Sequence, residues 1–245
     1  GFFTTYVGSK KHLDAGAKKV VISAPVSDNP SDAGVQGATV LMGVNEDKLA
    51  TCQITSNASC TTNATSPLVA ILKEAVGIEK ALLNTTHAYT ASQSLVDGPS
   101  KKEFRDGRAA ALNIIPSSTG AAKATTKAHP ELAGKFDGIA IRVPVPVGSL
   151  VDVTFVSSRD TTAEEVNAAL VKAAADPKWK NIFTATSEPL VSSDIIGSRV
   201  GSIADLSFTR VVGGNLVKVF AWYDNETSYT QTLVEHVAAA ARHLK

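Results

Sequence analysis

The spacing of apolar and polar positions changes several times along the chain, and each change marks an element. Residues 4–15 carry helical spacing and are followed by Gly16, a residue suited to the place just past a helix end. Lys19–Ala24 is a near-continuous apolar run stopped by Pro25, which predicts a buried strand. Val26–Gly37 is turn-rich, and Thr39–Val44 and Thr51–Ser56 predict two more strands. Leu68, Val69, Ile71, Leu72 and Val76 then fall on one face of a helix that ends near Gly77. Helix, three strands and helix with such apolar runs describe the edge of a covered, parallel α/β sheet.

Beyond Gly77 the pattern changes. Lys80–Tyr89 predicts a long strand, and Thr90–Ala111, with Gly98, Pro99 and Gly107, predicts an irregular segment long enough to be functional. A helix over Gly120–His129 is stopped by Pro130, and strands follow at Ile139–Val143 and Leu150–Ser157. Thr161 and Thr162, each three residues before a glutamate, offer capping boxes for a helix reaching Ala175. Leu206–Val212 and Leu216–Trp222, joined by Gly213-Gly214-Asn215, predict a hairpin, and Ser228–Leu244 a final helix. This half reads as an α+β domain with a largely antiparallel sheet.

Composition narrows the field. The 245 residues are 44% hydrophobic and 19% charged, with a formal net charge of +1. That is an ordinary globular composition with no field for nucleic acid and no run long enough to span a membrane. An anionic ligand would need local positive charge. Two cysteines, Cys52 and Cys60, do not make a disulfide framework. No secretory pattern is read, so a cytoplasmic protein is expected, and no metal is implied.

The chemistry centres on Ser56-Asn57-Ala58-Ser59-Cys60-Thr61-Thr62-Asn63, where a cysteine opens a helix. The first free N–H groups of a helix favour negative charge, so the thiol of Cys60 is expected to ionise more readily there. An inert, buried cysteine is the competing interpretation. His87 stands at the end of the following strand; alone it could equally be a hydrogen-bonded structural histidine. Cysteine with histidine fits an acyl hydrolase or an aldehyde dehydrogenase, and no obvious third member of a hydrolase triad is present. Arg142 has the planar fork suited to a phosphate, or to a rim salt bridge. Ser117-Ser118-Thr119-Gly120 before a helix is either an anion nest or a plain cap. No Gly-x-Gly-x-x-Gly turn follows a strand anywhere in the chain.

Ala58-Ser59-Cys60-Thr61-Thr62-Asn63 and Thr85-Thr86-His87-Ala88-Tyr89-Thr90 resemble phosphorylating glyceraldehyde-3-phosphate dehydrogenases. Asp97-Gly98-Pro99-Ser100, Arg105–Ala110, Asn113–Ala124, Arg142-Val143-Pro144 and Trp222-Tyr223-Asp224-Asn225-Glu226 match the same family in the same order. The resemblance implies a remnant of a Rossmann-type parallel sheet (1–59), an α+β catalytic domain (60–224) and a C-terminal helix packing back on the cofactor domain (225–245). Gly1-Phe2-Phe3-Thr4-Thr5 resembles a point inside the family's cofactor domain, so the sequence is expected to begin partway through that domain. The implied reaction is oxidation of glyceraldehyde 3-phosphate with inorganic phosphate and NAD, NADP not being excluded, through a thioester on Cys60. His87 would be the acid–base group, Thr90 and Arg142 would hold the substrate phosphate, and Ser59, Thr61, Thr119 and Gly120 the attacking phosphate. Asn225 would bind the nicotinamide carboxamide, and Thr90–Ala111 would line a neighbouring subunit's cofactor site in a homotetramer. Erythrose-4-phosphate dehydrogenase shares this machinery, and a binding subunit without activity is the alternative from another class. The sequence departs from the family pattern at Ala64, where a second cysteine is common, and at Thr227-Ser228-Tyr229, where Trp-Gly-Tyr is common.

Overall fold

A computed structural model describes residues 2–101 and 103–244. Gly1 of the opening motif, Lys102 of the irregular segment and Lys245 of the C-terminal helix domain lie outside the described residues. Helix α1 (Tyr6–Asp14) is capped by the Thr5 hydroxyl, which accepts from Gly8 N at 3.0 Å. It is followed by β1 (Val20–Ile22), β2 (Gly37–Thr39) and β3 (Ile54–Ser56), which form a parallel sheet in the order β1-β3-β2. The strand expected over Thr39–Val44 is therefore shorter and earlier. The chain leaves the sheet after Thr39 because Asn45 turns back, its Oδ1 accepting from Leu41 N at 2.8 Å and its Nδ2 donating to Thr39 O at 2.9 Å. Val40 and Leu41 are buried all the same, so their hydrophobicity is that of a core-facing turn.

Helix α2 (Cys60–Val76) crosses from this sheet to a second one. That sheet contains β4 (Lys80–Ala88), β5 (Ile115–Ser118), β6 (Phe136–Val143), β7 (Ser149–Val156), β8 (Phe183–Thr186), β9 (Ser202–Val212) and β10 (Leu216–Tyr223). Their order is β5-β6-β4-β7-β10-β9-β8, with β4·β6 and β8·β9 parallel and the other pairs antiparallel. The fold expected from the pattern, a small parallel sheet followed by a largely antiparallel one with helices, is the fold observed. Strands β5 and β8 are additions. Both are four residues long and edge-placed, too short for alternation to betray them.

Helices α2, α3 (Ala121–Ala128) and α4 (Ala163–Ala174) cover one face of the large sheet. Between them and the sheet lies the main core, with Leu68, Leu72, Leu83, Val153, Phe155, Leu170 and Tyr223 all but fully buried. The other face is open and partly apolar: Leu82, Ile139 and Phe208 are 66%, 55% and 48% exposed. Helix α5 (Thr227–Ala241) returns to the parallel sheet and touches α2 and β1. Strand β6 starts at Phe136, three residues before the expected start, because Gly138 passes close to β4. A Cβ there would lie 2.5 Å from Leu83 O.

Candidate active site

Two structural junctions meet at Cys60. Strand β3 ends at Ser56, and Ala58 follows with φ of +56°, a left-handed conformation that non-glycine residues seldom adopt. The bend is held from several sides. Ser56 Oγ accepts from Ala58 N at 3.0 Å, Tyr229 OH donates to Ala58 O at 3.3 Å, and Asn63 Nδ2 donates to Asn57 O at 2.8 Å. The Ser59 hydroxyl caps α2 by accepting from Thr62 N at 3.2 Å, which makes Cys60 the first helical residue. Tyr229, which keeps the tyrosine of the family's Trp-Gly-Tyr where Thr227 and Ser228 depart from it, thus braces the turn that presents the cysteine.

Cys60 Sγ lies 3.4 Å from His87 Nε2. His87 is buried near the end of β4, in register with Arg142 on the parallel strand β6. Arg142 Nη1 lies 2.6 Å from His87 Nδ1 and donates to Ala88 O at 3.1 Å, while Nδ1 itself is 2.6 Å from Ala88 O. Burial, then the guanidinium charge of Arg142, pull the His87 pKa down to about 4, so the imidazole is neutral near pH 7.

The expected low thiol pKa of Cys60 is not found. Burial pushes it up, outweighing the opposing hydrogen bonds of Thr61 and the charge of Arg142. A helix N-terminus does favour the thiolate, but the desolvation of this position is larger. Cys60 nonetheless keeps partial exposure, whereas Cys52 is buried and its thiol is likewise pushed up, chiefly by burial.

The remaining predicted residues are placed less uniformly. Thr61 turns inward: its hydroxyl pairs with Tyr223 OH at 2.9 Å, and that phenol also reaches Thr85 Oγ1 at 2.9 Å. Thr90 follows β4, with its hydroxyl donating to Gln93 Oε1 at 3.3 Å. Thr119 Oγ1 accepts from Ala121 N at 3.1 Å, and Gly120 is the cap of α3, so the Thr119-Gly120 pair forms a real helix opening. Among the described residues, no hydrogen bond joins Ser59 or Thr61 to Thr119 or Gly120; α3 is brought to α2 by packing. Asn225 Oδ1 accepts from Gly148 N at 3.0 Å and from Ser149 Oγ at 3.1 Å. Ser149 Oγ in turn accepts from Ala88 N at 3.1 Å, which ties Asn225 to the His87 end of β4.

Tyr223 and Ser149 are the residues that sequence reasoning did not single out as organisers of this site. Tyr223 carried the only signal, through its place beside Asn225 in the C-terminal motif. Asp224 between them is buried; its Oδ1 accepts from Glu226 N and Thr227 N, both at 2.8 Å, and so opens α5 despite the altered residues that follow. Among the described residues no group of three His, Cys, Asp or Glu is arranged to hold a metal ion, and no helix is long and apolar enough to cross a membrane.

Comparison with known proteins places the chain in a family. Residues 59–225 match the family model described as glyceraldehyde 3-phosphate dehydrogenase, C-terminal domain. The whole chain is 48% identical to a glyceraldehyde-3-phosphate dehydrogenase of Mycolicibacterium smegmatis and spans 69% of that protein's length. It is 47% identical over 244 residues to glyceraldehyde-3-phosphate dehydrogenase 1 of Bacillus subtilis, covering 99% of this chain and 70% of the relative. With the Streptomyces coelicolor enzyme of that name the identity is 48% over 237 residues, 96% of this chain and 68% of the relative. The chain belongs to the glyceraldehyde-3-phosphate dehydrogenase family, whose members are oxidoreductases of glycolysis.

Proposed function

We propose that this chain carries the catalytic centre for oxidative phosphorylation of glyceraldehyde 3-phosphate, with Cys60 as nucleophile and His87 as its acid–base partner. The observation that carries this is the line Cys60–His87–Arg142, with Sγ 3.4 Å from Nε2 and the guanidinium on the opposite ring nitrogen. The sulfur adds to the aldehyde carbon, and the new hydroxyl lies within reach of Nε2. A nicotinamide, when bound, supplies the hydride acceptor that makes a thioester of this adduct. Asn225 fits the nicotinamide's amide, because its Oδ1 is committed to Gly148 and Ser149 while its Nδ2 has no partner among the described residues. Inorganic phosphate then attacks the acyl carbon, the C–S bond breaks, and the sulfur of Cys60 is released for the next cycle.

The phosphate assignments rest on different supports. Arg142 Nε is buried and has no partner among the described residues, an unfilled donor that suits an anion. Thr90 leads out of the strand whose end accepts from Arg142. Ser59 and the Thr119-Gly120 opening offer hydroxyl and N–H groups at two helix starts; Thr61, with its hydroxyl on Tyr223, would contribute its backbone instead. NAD as the cofactor, a cytoplasmic setting and a homotetramer belong to the same proposal. The tetramer is supported by the open apolar face of the large sheet and by the exposed Leu95, Val96 and Phe104 of the irregular segment. Division at residues 59 and 224 is supported by the end of the parallel sheet at Ser56 and by the return of α5 to it.

The test uses NAD, inorganic phosphate and two aldehydes, one phosphorylated. Arg142→Ala should lower kcat/KM for the phosphorylated aldehyde about 30- to 1,000-fold, equivalent to about 2 to 4 kcal/mol, and far more than for the other. Thr119→Ala should leave a burst of reduced cofactor while steady-state turnover falls. Equal loss with both aldehydes would remove Arg142 from phosphate binding, and turnover independent of cofactor would remove the dehydrogenase reading.

A further inference from the structure

Strand β7 turns alternate side chains into the core, and its inward row is Ser149, Val151, Val153 and Phe155. The last three are apolar and the first is not. A hydroxyl that is only 2% exposed costs stability unless it is hydrogen-bonded, and Ser149 stands where the sheet gives it particular partners. The ladder between β4 and β7 ends at Thr86 and Leu150, whereas β7 and β10 stay paired as far as Ser149 and Tyr223. Ala88 N, past the end of the first ladder, donates to Ser149 Oγ at 3.1 Å. The serine oxygen thus stands in for a backbone acceptor, and its own hydrogen goes to Asn225 Oδ1 at 3.1 Å.

Asn225 Oδ1 takes a second donor, Gly148 N at 3.0 Å. The turn entering β7 aims that N–H: Gly148 has φ of +99°, and a Cβ there would lie 2.6 Å from Ser192 O. Donors to an amide oxygen prefer the plane of its lone pairs, so two of them fix the amide plane where one leaves it free to pivot. We infer that Ser149 is a positioning residue: it locks the Asn225 amide with Nδ2 left as a donor, and it ties that donor to the end of the strand that carries His87. The inference rests on the reading of Asn225 as the ligand of the nicotinamide's amide. A donor that must meet one atom of a planar ring substituent does so only while its own plane is held. Both bonds of Ser149 end on segments that bear site residues, whereas a serine serving only to satisfy Ala88 N would need no bond to Asn225. The other polar group facing Ser149 is the Tyr223 hydroxyl, already held by Thr61 and Thr85 at 2.9 Å each.

The test follows the Asn225 side-chain NH2 by nitrogen-15 relaxation in the full chain without cofactor, its resonance assigned by its loss in Asn225→Asp. In the parent protein this group should be as rigid as ordered backbone, with an order parameter of about 0.85, and in Ser149→Ala it should fall below about 0.6. Ser149→Thr, which keeps the hydroxyl, should restore it. With phosphorylated aldehyde, phosphate and NAD, Ser149→Ala should lower kcat/KM for NAD about 10-fold and leave KM for the aldehyde unchanged, and Ser149→Thr should recover the loss. A mobile amide in the parent overturns the inference even if no variant folds. So does a folded Ser149→Ala whose amide stays rigid, or one that weakens aldehyde and NAD equally, the mark of general damage. If kcat/KM for NAD falls in Asn225→Asp but not in Ser149→Ala, the inference alone is overturned. If it falls in neither, Asn225 is not the nicotinamide's ligand, and the inference fails with that reading.

Discussion

Acid should loosen the brace behind Cys60 through His236. This residue of α5 is fully buried, with Nε2 2.8 Å from Thr55 Oγ1 and Nδ1 3.1 Å from Asn57 Oδ1. The Asn57 oxygen can only accept, so Nδ1 carries the proton and Nε2 accepts from Thr55. Asn57 O in turn accepts from Asn63 Nδ2 in the first turn of α2, so the histidine ties α5 to the segment that presents the cysteine. Burial lowers the His236 pKa from 6.5 to about 4. The unfolded chain binds this proton below pH 6.5 and the folded chain resists it. Its stabilisation is therefore complete above 6.5, falls as the pH drops below 6.5, and is gone below about 4. With these two values the loss is about 2 kcal/mol at pH 5 and about 3 kcal/mol at the acid limit. Urea unfolding of the parent and of His236→Gln at pH 8 and pH 5 isolates the contribution, because His87 and His129, also lowered by burial, stay in both proteins. The variant should be less stable at pH 8 and should lose about 2 kcal/mol less than the parent between the two pH values. If its loss matches the parent's, His236 does not couple folding to protonation, and the argument from burial fails.

Two further outcomes are expected. Iodoacetamide should label Cys60 faster than Cys52, because only Cys60 is partly exposed. The Cys60 rate should keep rising above the ordinary cysteine pKa, and a plateau near pH 7 would show the helix N-terminus outweighing burial. Gly138→Ala should drive β6 off β4, because the new methyl would meet a backbone oxygen that cannot swing aside. A cost of about 2 kcal/mol, or about 4–8 °C in Tm, is expected, and an unchanged melting curve would show that the strands can separate freely there.

How far the sequence could be read depended on whether a feature was local. The long strands β4, β7 and β10 and the helices α2, α4 and α5 announce themselves by period, cap and stop residues, because their side chains alternate between core and solvent. Val40 and Leu41 misled because apolar character reports burial and not extension; the turn there is made by Asn45, four residues after Leu41. The Cys60–His87–Arg142 line was legible only as three motifs. Its contact depends on β4 pairing with β6 across more than fifty residues, a register that nothing in either strand specifies alone. Tyr223 and Ser149 carry no chemical signature of their own. They matter because folding leaves Tyr223 between α2 and β4, and Ser149 between β4 and Asn225.

The ionisation of Cys60 sets the helix start against burial, and that opposition bears on mechanism. Reading the helix start alone gives the thiolate its favourable term and omits the cost of removing that charge from water. The same desolvation acts on His87, and the charge of Arg142 adds to it, so burial opposes the charged form of each group taken singly. Among the described residues, Arg142 is the fixed charge that touches the pair, through His87 Nδ1. An anion engaging Arg142 would offset positive charge on the imidazole's side. The low basicity that keeps His87 neutral is therefore conditional, since its second cause is the very group that a phosphate would neutralise. The same charge lowers the Cys60 pKa, so an anion at Arg142 would favour protonated His87 while disfavouring the thiolate, and the two effects on the pair oppose each other.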